Sequence, residues 1–233
     1  MAEWMTAPVR AERLPNDDGH RPADLFLVAV AAIGAKRAEH DWMGEPRGRH
    51  ERLGDGQQYL RRFDGGAVCW SSRTGAHEVH GPVAERWEAL GAEASLLGFP
   101  ITDSASLVWP DGTPRPGGHA HFEGGSVYWT PEHGARVVRG MVRDIWALLG
   151  WERSALGMPV GDTETGDDGL LSARFEHGRI AWSSAAGPLV EIRRAEASAS
   201  RPGASWAPDA PGALDPATER RLGRLTPSFA PRE

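Results

Sequence analysis

Residues 122–140 read FEGGSVYWTPEHGARVVRG, and the pattern occurs twice more, as FDGGAVCWSSRTGAHEVHG at 63–81 and FEHGRIAWSSAAGPLVEI at 175–192. Phe63, Phe122 and Phe175 are equivalent, as are Trp70, Trp129 and Trp182, and Gly75, Gly134 and Gly187. A second block leads into each: WEALGAEASLLGFP ends at Pro100, WALLGWERSALGMP at Pro159, and VAAIG followed by WMGEP at Pro46. The period is 59 residues and then 53. Repetition on this scale marks an array of small units, none of which buries both its faces alone.

Each unit has a readable local structure. Val83, Trp87 and Leu90 fall at helical spacing, as do Val142, Trp146 and Leu149, with Gly91 and Gly150 placed to end the helices. VAAIG at 30–34 aligns on Gly34 with WEALG and WALLG, so 25–35 reads as the first core helix. A secretory segment would want a basic start, and the residues before it carry Asp17, Asp18 and Asp24. Asp-Gly pairs at 55–56, 111–112 and 168–169 and the turn after each Phe predict hairpins. The expected fold class is α+β: three tandem repeats, each one helix plus a small antiparallel β-meander, packed around a pseudo-symmetric core. The expected domain spans 23–194. Residues 1–22 read as a disordered N-terminal tail, and 195–233 as a Pro/Ala/Arg-rich tail with a short helix at 215–225.

Composition narrows function. With 26 basic and 32 acidic residues in 233, net charge is −6, which argues against nucleic acid as a partner. A single cysteine, Cys69, excludes an intrachain disulfide and a multi-cysteine zinc site. No apolar run is long enough for a membrane span. No Gly-x-Ser-x-Gly, phosphate loop or dinucleotide glycine pattern occurs, and His77-Glu78-Val79-His80 is one residue short of helical zinc-protease spacing. Neither a cofactor nor a metal is expected. With no export signal readable, the sequence places the chain in the cytoplasm, or at the cell envelope if delivered by another route.

The chain resembles the LGFP-repeat family. Leu97-Gly98-Phe99-Pro100 with Asp103, Leu156-Gly157-Met158-Pro159 with Asp162, and the block at 122–129 carry the likeness, which covers about residues 24–192. The first unit departs from it, with Met43-Gly44-Glu45-Pro46 for the motif and Arg49 where the others have an aspartate. The resemblance implies a non-catalytic cell-envelope module of actinobacteria that binds wall polysaccharide, peptidoglycan or arabinogalactan.

The tryptophan-rich composition supplies the first candidates, since an aromatic face stacks on a sugar's C–H face. Trp70, Trp87, Trp129, Trp146 and Trp182 recur at apolar positions and are expected in the core. Trp4, Trp42, Trp109 and Trp151 fall outside the register, and Trp109, beside a Pro-Asp-Gly loop, is the best placed for a ligand. Glu123, Asp103 and Asp162 are candidate partners for sugar hydroxyls, against a role in turn chemistry. His119 and His121 fall on one strand face with Glu123, against a plain hydrogen-bonded pair. Two readings stay open: a glycan-binding module using Trp109, Asp103, His119, His121, Glu123 and Asp162; or an intracellular adaptor or cargo protein, or small enzyme, with a cavity near Trp109, His119, His121 and Glu123. Residues 214–229 are a candidate docking segment for a protein partner.

Overall fold

A computed structural model describes residues 22–193 apart from Asp55 and Pro110. The expected tail helix at 215–225, the docking segment at 214–229, Trp4 and Trp206 lie outside the described residues.

The repeated Phe closes a strand each time, and the two residues after it make the turn. Helix α1 (Pro22–Ala38) precedes β1 (Pro46–Leu53), β2 (Gln58–Phe63), β3 (Gly66–Ser71) and β4 (Gly75–His80). Helix α2 (Gly81–Ala89) precedes β5 (Ala105–Val108), β6 (Pro114–Phe122), β7 (Gly125–Thr130) and β8 (Gly134–Arg139). Helix α3 (Gly140–Leu149) precedes β9 (Glu164–Thr165), β10 (Leu171–Phe175), β11 (Gly178–Ser183) and β12 (Gly187–Ile192). Three antiparallel four-stranded sheets result, each with its strands in chain order. They are sheets I, II and III below.

Alternation along the central strands decides how the layers stack. In β3, Val68 and Trp70 face α1, and Ala67 and Cys69 face α2. In β7, Val127 faces α2 and Tyr128 faces α3. The order is therefore α1, sheet I, α2, sheet II, α3, sheet III. Trp87 and Trp146 are fully buried, and each packs on the strand-ending Phe of the next sheet, Phe122 and Phe175, with ring centroids 5.9 and 5.2 Å apart. Burying a side chain of that size contributes roughly 2–3 kcal/mol. The same strand alternation leaves Trp129 and Trp182 only partly buried against their clusters.

Two expectations need correction. The apolar side chains form three separate clusters, one around each helix, and no single pseudo-symmetric core. The reason is that sheets I and II are apolar on both faces, so each is shared between two helices. Gly34 also does not end the first helix. α1 runs on to Ala38, and Ala29 and Ile33 pack with Met43 and Phe63 as Val83 and Trp87 pack with Leu97 and Phe122.

The stack stops at sheet III for a reason written in its sequence. Ala67–Val79 and Ser126–Val138 are the cross-strand pairs that meet the next helix in sheets I and II. At the equivalent position sheet III carries Arg179–Glu191, an ion pair with N–O distances of 2.7 and 2.9 Å. A charged outer face ends a repeat array in water.

Candidate functional site

The repeated acid before the turn glycine does not stay in its own turn. Glu123 Oε2 accepts the Phe99 amide at 3.1 Å, Glu176 Oε2 accepts the Met158 amide at 2.9 Å, and Asp64 Oδ2 accepts the Glu45 amide at 3.2 Å. Those amides belong to the third residue of each Leu-Gly-Phe-Pro-like turn. The glycine before it has φ of +66° at Gly98 and +71° at Gly157. A Cβ there would lie 2.6 or 2.3 Å from the acid's own oxygen. The motif glycine is thus required twice, by backbone sign and by the carboxylate beside it.

The second oxygen of each acid meets a cation. Arg73, in the β3–β4 turn of sheet I, donates to Glu123 of sheet II. Glu176 Oε1 has Arg115 and His133 at 3.2 Å each, both from sheet II. Burial disfavours the Glu176 carboxylate, yet the Met158 amide, His133 and Arg115 together hold it below the usual range. Glu123 and Glu176 therefore join their own sheets to the one before, whereas Asp64 meets Arg47 of its own sheet.

Asp103 and Asp162 do the same from behind. Asp103 Oδ1 accepts the Glu78 amide at 3.2 Å and faces His77 Nδ1 at 3.1 Å, and Lys36 donates to Oδ2 at 2.9 Å. Asp162 Oδ1 accepts the Val137 amide at 2.9 Å, and Arg86 donates to Oδ2. The following hydroxyl completes the joint: Ser104 Oγ accepts from His80 N, and Thr163 Oγ1 from Arg139 N. β4 and β8 are sheet edges, and these Asp-Ser and Asp-Thr pairs cover them. The first unit carries Arg49 at this position, and among the described residues no sheet precedes it to be joined. For Asp103, burial opposes ionisation, and the bonds from Lys36, His77 and the Glu78 amide prevail, keeping its carboxyl below the usual range.

His119 and His121 lie together on the α3 side of sheet II, their rings 5.3 Å apart. His119 stacks on Tyr128 at 4.8 Å, and His121 meets Trp151 at 4.9 Å. Trp151 is not free for a ligand as expected: a left-handed backbone, φ 59°, folds its indole back onto this cluster. Arg143 Nε donates to Ser126 Oγ at 2.6 Å, which leaves the hydroxyl hydrogen for His121 Nδ1 at 2.7 Å. That network suits a neutral imidazole. Burial, then the neighbouring His119 and Arg143, push His121 down to about 4. Glu123 does not join the pair, because its carboxylate turns toward Phe99 and Arg73. Of the four residues expected at a cavity, His119 and His121 pair with each other, Glu123 meets Phe99 and Arg73, and Trp109 meets Arg115.

Trp109 is 44% exposed, at the tip of the β5–β6 hairpin. Asp111 Oδ1 accepts from both Thr113 N and Oγ1, and Trp109 N donates to Thr113 O at 2.8 Å, so the loop is tightly closed. The Arg115 guanidinium sits 4.5 Å from the Trp109 ring centroid and reaches Glu176. Trp109, Arg115, His133 and Glu176 thus gather where sheet II meets sheet III. At the matching junction of sheets I and II, Arg73, Thr74, Ile101 and Glu123 line an open groove of about 520 Å3. Sequence reasoning missed Arg73, Arg115 and His133, whose only signal was their proximity to the repeated turns.

Fold and site define a stacked repeat protein whose sheets are joined by acid-to-amide bonds at a recurring Leu-Gly-Phe-Pro-type turn. The LGFP repeat model matches residues 43–95 and 97–154, so the chain carries two LGFP repeats. Each matched repeat runs from the turn through its sheet and into the following helix, the opposite phase to a helix-first unit. No curated protein matches the chain.

Proposed function

We propose that the protein is a non-catalytic binding module for an actinobacterial cell-envelope glycan, peptidoglycan or arabinogalactan. The two LGFP repeats support an envelope-associated role. The observation that carries the glycan reading is Trp109: an exposed indole on a closed loop, backed on one face by Arg115, beside the junction of sheets II and III. An aromatic held rigidly with one face spoken for offers the other to a sugar ring at little entropic cost. Equivalent junctions recur along the stack, so an extended polymer meets similar chemistry more than once. Glu123 and Ile101 line the first of them, and Glu176 and His133 the second.

The carboxylates that an enzymatic reading would use are committed to backbone amides and protein cations. Asp103 and Asp162 support the junctions from behind, and His119 and His121 hold sheet II to α3. In this reading ligand contact falls to Trp109 and Glu123, and the other four candidates position them.

The test is retention of the full chain on purified actinobacterial wall, divided into peptidoglycan and arabinogalactan fractions. Retention on one fraction, reduced about tenfold by Trp109→Ala, is the expected result. Failure to bind either fraction overturns the reading.

A further inference from the structure

Every helix in the stack but one is covered on both sides. α2 and α3 each lie between two sheets, whereas α1 packs on sheet I alone among the described residues. The segment LFLVAVAAIGA has no polar face to turn outward. Leu27 is consequently 65% exposed, Val28 45% and Phe26 41%. A helix that is apolar all round is normally buried or in contact with lipid. No helix among the described residues is long and apolar enough to cross a bilayer.

The charge around this ridge differs from the rest of the chain. Residues 46–62 contain five arginines against two acids, in a protein whose net charge is −6. Arg47 and Arg62 are paired, with Asp64 and Glu51. Arg49, Arg52 and Arg61 have no carboxylate partner among the described residues. Phe26 joins the two features: its ring lies 6.1 Å from His50, which contacts Arg61, and 5.7 Å from Tyr59, which pairs with Arg52 across the strands.

We propose that this end of the stack is a peripheral docking surface for an anionic phospholipid bilayer. Phe26, Leu27 and Val28 enter the headgroup–acyl boundary, and Arg52 and Arg61 meet the phosphates. The apolar ridge favours a bilayer over a soluble polyanion, which would leave Leu27 in water. Charge complementarity favours anionic over zwitterionic lipid. At the opposite end, among the described residues, β12 exposes only Leu189 as a large apolar side chain, beside the Arg179–Glu191 pair. The surface is separate from the Trp109 junction, so it stands or falls independently of glycan binding.

The experiment is co-sedimentation of the full chain with phosphatidylglycerol vesicles, with phosphatidylcholine vesicles alongside. Binding to the first and not the second is expected, weakening by about tenfold between 0.1 and 0.5 M salt. Leu27→Asp, an exposed change, is expected to lower binding about tenfold, and Arg52→Glu with Arg61→Glu by as much. Circular dichroism of both variants checks that α1 remains helical. Absence of binding to phosphatidylglycerol overturns the proposal, as does binding that survives Leu27→Asp. A dimer in sedimentation velocity that Leu27→Asp dissociates also overturns it, since a second copy would then cover the ridge.

Discussion

Asp162 accepts a hydrogen bond from the Val137 amide at 2.9 Å, and so ties the loop leading into sheet III to the edge strand of sheet II. Asp103 makes the same bond to Glu78 one layer earlier. Asp162→Ala leaves the Val137 amide and the Arg86 guanidinium without their acceptor. Losing a charge-assisted bond of this kind costs about 1.5–3 kcal/mol. Urea denaturation is expected to show that loss, and a change under 0.5 kcal/mol would mean that water replaces the aspartate. Arg49→Asp should gain nothing, because among the described residues no earlier edge strand offers an amide for its carboxylate to accept.

The motif glycine gives a sharper comparison. Gly157→Ala forces a residue with a Cβ into φ +71° and against Glu176, breaking the bond to Met158 N. A cost of about 2–4 kcal/mol is expected. Gly112→Ala, at φ +85° with open space around it, should cost only about 1 kcal/mol. Equal costs at the two positions would show that backbone sign alone selects glycine.

Tryptophan substitutions should separate packing from ligand contact. Trp146→Ala empties a fully buried site and is expected to cost about 3–5 kcal/mol. Trp109→Ala is expected to cost less than about 1 kcal/mol, since the indole is itself nearly half exposed. Thermal unfolding beside the wall-retention assay reads both.

Two histidines set opposite pH limits. His121 sits near 4 when folded and near 6.5 when unfolded, so between those values the unfolded chain binds the extra proton. Stability therefore falls as pH is lowered through that window. His80 behaves the other way, because its bond to the buried Glu78 carboxylate raises its affinity for the proton. Its contribution is complete below about 6.5 and is lost as pH rises through the folded value. Tm measured from pH 8 to 4.5 should fall at both ends, His121→Gln flattening the acid side and His80→Gln the alkaline side. An acid limb unchanged in His121→Gln would assign that titration to His119 and His50, whose proton affinity burial also lowers.

The end of the array is open to a direct test as well. Replacing Arg179 and Glu191 with Ala and Val copies the Ala67–Val79 pair of sheet I onto the outer face of sheet III. Self-association in sedimentation velocity is expected, because an apolar sheet face would then meet water.

Sequence by itself determined the elements that local chemistry controls. The threefold Phe…Trp…Gly pattern located β2–β3, β6–β7 and β10–β11, the Asp-Gly pairs located the preceding hairpins, and Gly91 and Gly150 marked two helix ends. These signals work because turn geometry and period-two or period-3.6 burial act over a few residues. The length of α1 escaped this logic, since an aligned glycine inside a helix looks like one at its end. Tertiary structure alone decided what each face and each acid would meet. Glu123 and Asp103 looked like members of their own turns, but their partners come from segments about 25 residues away or from the preceding sheet. His119 and His121 could be placed on one face, but only packing showed that Trp151 and α3 close over them. Layer order gave three cores where one was expected, and it left α1 bare on one side. A strand's alternation says that two faces exist, but which neighbour covers each face is settled by long-range packing, which local sequence does not encode.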